Sequence, residues 1–233
     1  MGNPDSSPER IELVTSGDGS HTLFVPKLNE HYHSTHGAIQ ESRHIFIEAG
    51  FLKAMERWDE INLLEVGFGT GLNALLTGLQ TIHHKLMVNY TAIEAYPLMQ
   101  NIFSLLNYDH LLPEPEALLL YHQICYSGWN QPVALTSKFT LTKVKCMLQD
   151  FTFDQGSYNL VYFDAFSPDV QPELWTEDIF KNLYNNMSNG GLLITYSCKG
   201  IVKRALKSAG FSIEKLPGPP GKREILRAIK PRK

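Results

Sequence analysis

The chain has 233 residues, is 43% hydrophobic and carries a formal net charge of −3, which is enough for one sizeable core and too little for two. No run approaches the ~18 consecutive apolar residues of a membrane span, and the polar opening at residues 3–8 is not a secretory leader, so a cytoplasmic protein without membrane contact is expected. Cys125, Cys146 and Cys198 are widely spaced and form no C-x-x-C, which excludes a disulfide framework and a thiolate metal centre and predicts reduced packing residues. The charge is polarised: residues 199–233 carry +9 and the remainder −12, which reads either as a basic face for a polyanion or as a solvated tail.

Residues 1–60 read as an extension of short strands followed by a helix over 38–49, packed on a domain formed by 61–233. The extension contains His31, His33 and His36, a metal tract by composition. No carboxylate or cysteine sits at ligand spacing beside them, and no metal is predicted. From residue 61 onward, apolar runs at 61–66, 87–93, 139–144, 158–163 and 192–196 alternate with helical periodicity over 72–79, 97–106, 172–186 and 201–209, the last stopped by Gly210. Uninterrupted apolar strands suit a parallel sheet covered on both faces. Two more strands, 211–215 and 224–229, flank the Pro/Gly turn at 217–221 and predict a hairpin. The fold class is therefore doubly wound α/β, with a mostly parallel seven-stranded sheet closed by an antiparallel C-terminal hairpin.

The strand at 61–66 runs directly into Gly67, Gly69 and Gly71 and then into a helix. Glycines there allow a sharp turn and close backbone approach to a ligand at the carboxyl edge of the sheet. The spacing is G-x-G-x-G behind the acid Glu65, whereas dinucleotide turns favour G-x-G-x-x-G facing a pyrophosphate. An acid beside the turn suits a cationic or zwitterionic ligand. Glu94 ends the next strand, where a carboxylate can accept from both ribose hydroxyls of an adenosine, as in NAD or S-adenosylmethionine. Asp150 follows the third strand and could accept from an adenine amino group; as a solvated loop acid it would do nothing of the kind. Asp164 follows the fourth strand and should project into the same crevice, where the reacting group belongs, or else serve as a turn acid.

These residues resemble the methyltransferase domain of the bacterial bifunctional enzyme that makes 5-methylaminomethyl-2-thiouridine at the tRNA wobble position. The similarity spans nearly the whole chain and rests on His31-Tyr32-His33-Ser34 with Gly37 and Glu41, the block from Glu65 through the glycine turn, and Ile93-Glu94. It rests further on Asp164-Ala165-Phe166-Ser167-Pro168 with Trp175 and Thr176, and on Gly221-Lys222-Arg223-Glu224. The resemblance implies a Rossmann-like S-adenosyl-L-methionine-dependent methyltransferase fold and N-methylation of 5-aminomethyl-(2-thio)uridine in tRNA. It implies a cofactor site lined by Glu65, Gly67, Gly69, Gly71, Glu94, Asp150 and Asp164, with Asp164 catalytic, and contacts to tRNA from Tyr32, Pro168, Lys222 and Arg223. Bifunctional members continue into a flavin-dependent oxidase, which these 233 residues do not include. FAD is therefore not expected as a cofactor, and a separate enzyme is expected to supply the aminomethyl substrate. Two other readings stay open: aminopropyl transfer, which shares the fold and an Asp after the fourth strand but needs an acidic tunnel for a polycation, and a tRNA-binding module without turnover.

Overall fold

The computed structural model describes residues 11–153 and 157–232. Strands β1 (Glu12–Thr15), β2 (His21–Val25) and β3 (Glu30–His31) form a small antiparallel sheet of their own. Next comes a continuous helical stretch made of α1 (Ala38–Ser42), a π-helical middle (Arg43–Phe51) and α2 (Leu52–Met55). It is anchored at its start, where the Asp18 carboxylate accepts from Gln40 N–H and the Ser20 hydroxyl accepts from Ala38 N–H. The stretch runs past residue 49, where the periodicity ended the helix, because Gly50 lets it lie flat on the sheet: a Cβ there would stand 2.9 Å from Ile194 Cγ1.

Strands and helices then alternate through β4 (Glu60–Val66), α3 (Leu72–His84), β5 (Met87–Glu94), α4 (Gln100–Phe103), α5 (Tyr108–Leu111) and α6 (Ala117–Tyr126). They continue through β6 (Pro132–Ala134), β7 (Phe139–Lys145), β8 (Tyr158–Phe163), α7 (Glu177–Asn186), β9 (Met187–Thr195), α8 (Gly200–Ser208), β10 (Ser212–Pro217) and β11 (Glu224–Ile229). The large sheet has the order β10-β11-β9-β8-β4-β5-β7-β6. Neighbours from β9 through β7 pair in parallel, whereas β11 is antiparallel to both β9 and β10, and β6 is antiparallel to β7.

Successive residues of each central strand serve different cores, as the pleat requires. Leu63, Tyr162, Leu192 and Ile194 face the layer of α3, α6 and the helical stretch from α1 to α2, while Leu64, Phe163 and Leu193 face Phe180 and Leu183 of α7 and Val202 and Leu206 of α8. Because α3 and α7 cover opposite faces, the chain leaves β4 and β8 in opposite directions. A crevice opens between their carboxyl ends.

Several elements differ from expectation. The sheet gains an eighth strand, β6, a three-residue edge pairing too short to show an alternating pattern. The helix expected over 97–106 is a single turn, α4, because Asn107 ties the following loop to the small sheet: its side chain accepts from His21 N–H and donates to Gly19 O. Helix α6 escaped notice because Leu118 and Leu119 are exposed and blur its apolar face. The segment expected as a helix over 172–186 splits into one 3₁₀ turn and α7, broken where Thr176 caps α7 by accepting Ile179 N–H.

Candidate active site

A cleft of about 1150 Å³ runs along the carboxyl ends of the central strands, from the loop after β7 to the residue after β9. Its middle is the turn after β4. Gly67 has φ +91°, and a Cβ there would lie 2.6 Å from Asp164 O, so the β4 and β8 turns can touch only through glycine. Gly67 N–H and Phe68 N–H both donate to Ile93 O, which docks the turn on the end of β5. Gly69 has φ +51° and donates its N–H to Glu94 Oε2 at 3.0 Å, while Tyr96 N–H donates to Glu94 Oε1 at 2.9 Å. Both Glu94 oxygens are thus fixed by one backbone donor each, and each keeps a lone pair for a further donor. Beside it, Leu98, Met99, Ile102 and Leu148 line an apolar slot of the kind a flat heterocycle enters. Glycine backbone, a bidentate acceptor and an apolar slot together fit an adenosine bearing a charged tail.

At the other end stands Asp164. Its Oδ2 accepts from Asn73 Nδ2 at 2.9 Å, and the same amide donates to Glu65 Oε1 at 3.0 Å. Burial and the neighbouring Glu41 charge push the Asp164 carboxyl up to about 7, against the lowering effects of Asn73 and Lys222. Glu65 is wholly buried, with Tyr90 and Tyr162 of the adjacent strands on its face of the sheet, and burial raises its pKa well above the ordinary range. The expectation that Glu65 lines the cleft is corrected on this point. Its carboxyl stands behind the lining and reaches the site only through Asn73.

The small N-terminal sheet and α1 roof this end. The Tyr32 ring meets Phe166 edge to face at 5.1 Å, the Ser167 hydroxyl donates to Glu30, and His33 Nε2 bonds Thr70 Oγ1 at 2.8 Å. Burial drops the His33 pKa to about 4, so its ring is neutral. Glu41 accepts Ser34 N–H at 2.7 Å and pairs with Lys222 at 2.9 Å, and the Lys222 ammonium lies 5.1 Å from the Tyr196 ring centre.

Thus the structure brings together Gly67, Gly69, Gly71, Glu94, Asp164, Tyr32 and Lys222, with Gly71 capping α3 just behind the lining. It leaves out three others. Asp150 is exposed and outside the lining, because the 3₁₀ turn Leu148–Asp150 aims Leu148 and Gln149 at the cleft instead. Pro168 is buried and shapes the turn, so it offers no surface to a nucleic acid. Arg223 is exposed and lies outside the cleft that its neighbour Lys222 enters. Asn73, Glu41 and Tyr196 were missed as site residues. Tyr196 carries a usable signal, since it lies directly beyond the carboxyl end of β9; Asn73, within α3, and Glu41 are placed by tertiary contacts alone. Among the described residues no group of three or more His, Cys, Asp or Glu is arranged to hold a metal ion, and no helix is long and apolar enough to cross a membrane.

Residues 123–231 match a family model described as S-adenosyl-L-methionine-dependent methyltransferase. The structure of MnmC2 from Aquifex aeolicus superposes with a TM-score of 0.76 at 25% identity, covering 98% of this chain and 73% of that one. The chain thus has the fold of the S-adenosyl-L-methionine-dependent methyltransferases, and just under half of it matches their family model. It resembles the tRNA 5-methylaminomethyl-2-thiouridine biosynthesis bifunctional protein MnmC of Magnetococcus marinus, 33% identical over 89% of this chain and 32% of that protein. The protein of the same name from Polaromonas naphthalenivorans is 30% identical over 94% of this chain and 35% of its own length. The chain therefore spans about a third of the curated relatives it matches. Spermidine synthase from Thermotoga maritima, at 11% identity and a TM-score of 0.58 over 99% of this chain and 72% of that one, shares the methyltransferase fold alone.

Proposed function

We propose that the chain methylates the primary amine of 5-aminomethyl-(2-thio)uridine at the wobble position of tRNA, giving the 5-methylaminomethyl form. The observation that carries this reading is a single cleft joining the glycine turn and Glu94 at one end to Asp164 at the other, in a chain similar over most of its length to proteins named for that modification. Gly67, Gly69 and Gly71 would cradle the cofactor's methionyl end and Glu94 its ribose; when bound, S-adenosyl-L-methionine supplies an electrophilic methyl group.

This chain's residues then have two tasks. The amine must be aimed, and it must lose a proton before its lone pair can attack. Asp164 serves both: Asn73 holds its carboxylate in place, and a pKa of about 7 lets it take up the ammonium proton near neutral pH. Tyr32 and Phe166 wall the amine off from water. A primary amine on the C5 methylene has to exist first, so a reaction that unmasks it must precede this step.

Aminopropyl transfer is disfavoured because the likeness to spermidine synthase is one of fold alone at 11% identity, whereas the MnmC proteins are 33% and 30% identical. Incubation of the purified chain with S-adenosyl-L-methionine and tRNA bearing the free aminomethyl group should add one methyl to the wobble nucleoside, read by mass spectrometry. Release of methylthioadenosine from the decarboxylated cofactor and putrescine would favour the other enzyme class. Cofactor binding without either product would favour a tRNA-binding module.

A further inference from the structure

The pair formed by Glu41 and Lys222 has no task in the methyl transfer itself. Glu41 reaches the cleft from α1 with its side chain only 11% exposed, and both its oxygens are engaged, Oε2 by Ser34 N–H and Oε1 by the Lys222 ammonium. The same ammonium lies against the face of Tyr196. Tyr196 is itself fixed, donating its hydroxyl hydrogen to Ala165 O at 2.9 Å, one residue beyond Asp164. A carboxylate beside an aromatic face is the arrangement that recognises alkylammonium ions. Here it holds the chain's own.

We propose that Glu41 and the Tyr196 ring form the seat for the substrate's alkylammonium group, and that Lys222 is a built-in occupant which the substrate displaces. The identity of the natural ligand rests on the amine-methylation reading; the seat rests on geometry. Exchange of one cation for another never leaves the Glu41 carboxylate buried and unpaired, which would cost more than the new contact supplies. Lys222 is 30% exposed on the turn between β10 and β11, beside the exposed Arg223. A displaced ammonium there has solvent within reach, and in solvent the phosphates of a polyanionic substrate. The groups facing Asp164 are Glu65 and Tyr90 from the sheet, Glu41 from α1, Tyr196 after β9 and Lys222 from the turn. A seated ammonium preserves the balance of charge among them.

The competing view is that the pair merely fastens the turn to α1, where His44 Nε2 also meets Pro217 O at 2.8 Å. The two views differ in what removing the lysine does. The probe is n-propylammonium chloride, titrated into the full chain while the Tyr196 ring resonances are followed by NMR. Lys222→Met should bind it on the order of tenfold more tightly than wild type, the scale of one desolvated cation contact. Adding Glu41→Gln should abolish the gain, and Lys222→Arg should bind as weakly as wild type. With the free 5-aminomethyluridine nucleoside as substrate, Lys222→Met should lower KM, whereas with tRNA it should raise it. If Lys222→Met binds the probe no better than wild type, or the Tyr196 ring does not respond, the seat is disproved and the pair is a fastening. Lys222→Gln replaces the methionine variant should that one fail to fold. Tightened probe binding without any methylated wobble nucleoside would overturn the functional reading and leave the seat standing.

Discussion

Glu94 is held at both oxygens by backbone N–H groups of its own chain, so its carboxylate is aimed before anything binds. Such preorganisation means that little is lost in ordering it, and its removal should cost about 1–3 kcal/mol of cofactor affinity through two charge-assisted hydrogen bonds. Calorimetry on Glu94→Ala checks this; unchanged affinity removes Glu94 from the ribose role. Asp164 presents a different balance. Its ordinary value of 3.8 rises to about 7 in the folded chain, so the unfolded state gives up its proton first as pH rises. The stability linked to this group is fully present below about pH 4 and is lost as pH climbs to about 7. Glu65, raised in the same direction, adds to that slope. Asp164→Asn should therefore flatten part of the fall in Tm between pH 4 and 7 while lowering kcat by roughly 10²- to 10⁴-fold with cofactor affinity little changed. Activity within a few-fold of wild type at saturating tRNA across pH 6 to 9 would reduce Asp164 to a turn residue.

At the scale of elements, the turn after β4 is the tightest joint, with Gly67 pressed on the Asp164 carbonyl at a left-handed φ. Gly67→Ala should destabilise the fold by about 2–3 kcal/mol, combining backbone strain with a displaced β8 turn. Chemical denaturation measures it, and a loss under 0.5 kcal/mol, on the order of a neutral surface change, would mean the two turns are not in contact. This joint was legible in the sequence because a glycine triplet at a strand end has few other uses. The central strands were legible for a similar reason: continuous apolar runs such as 160–163 must be buried on both faces. What was not legible lies where tertiary contacts override local pattern. The 3₁₀ turn that sends Asp150 outward has no periodicity to read, Pro168 looks the same in a buried turn as in an exposed one, and Asn73 is an ordinary helix residue until Glu65 is seen to be buried beneath it.

For the whole molecule, the positive charge of residues 199–233 is less available than a count suggests. Lys199, Lys215, Lys222 and Arg227 pair with Asp169, Glu224, Glu41 and Glu214, and Lys230 donates to the Tyr184 and Met187 carbonyls. Arg204 and Lys207 on α8 and Arg223 on the turn are exposed. Neutralising these three should weaken tRNA binding and shallow its dependence on log salt by about one unit for each phosphate no longer neutralised, leaving cofactor affinity alone. Equal loss of both affinities would show that the substitutions act through the fold.

The placement of β11 between β9 and β10 carries a consequence for how the enzyme is made. During synthesis β9 emerges well before its partner, and β10, next in the chain, has no bond to β9 at all. The growing polypeptide must keep the β9 edge open until β11 arrives and the hairpin inserts as a unit. That insertion also delivers Lys222 to the cleft. A nascent chain can therefore assemble the glycine turn, Glu94 and Asp164 before the hairpin pairs, and only then gains the Lys222 cation opposite Glu41, so the cleft forms first and its built-in occupant arrives with the last strand.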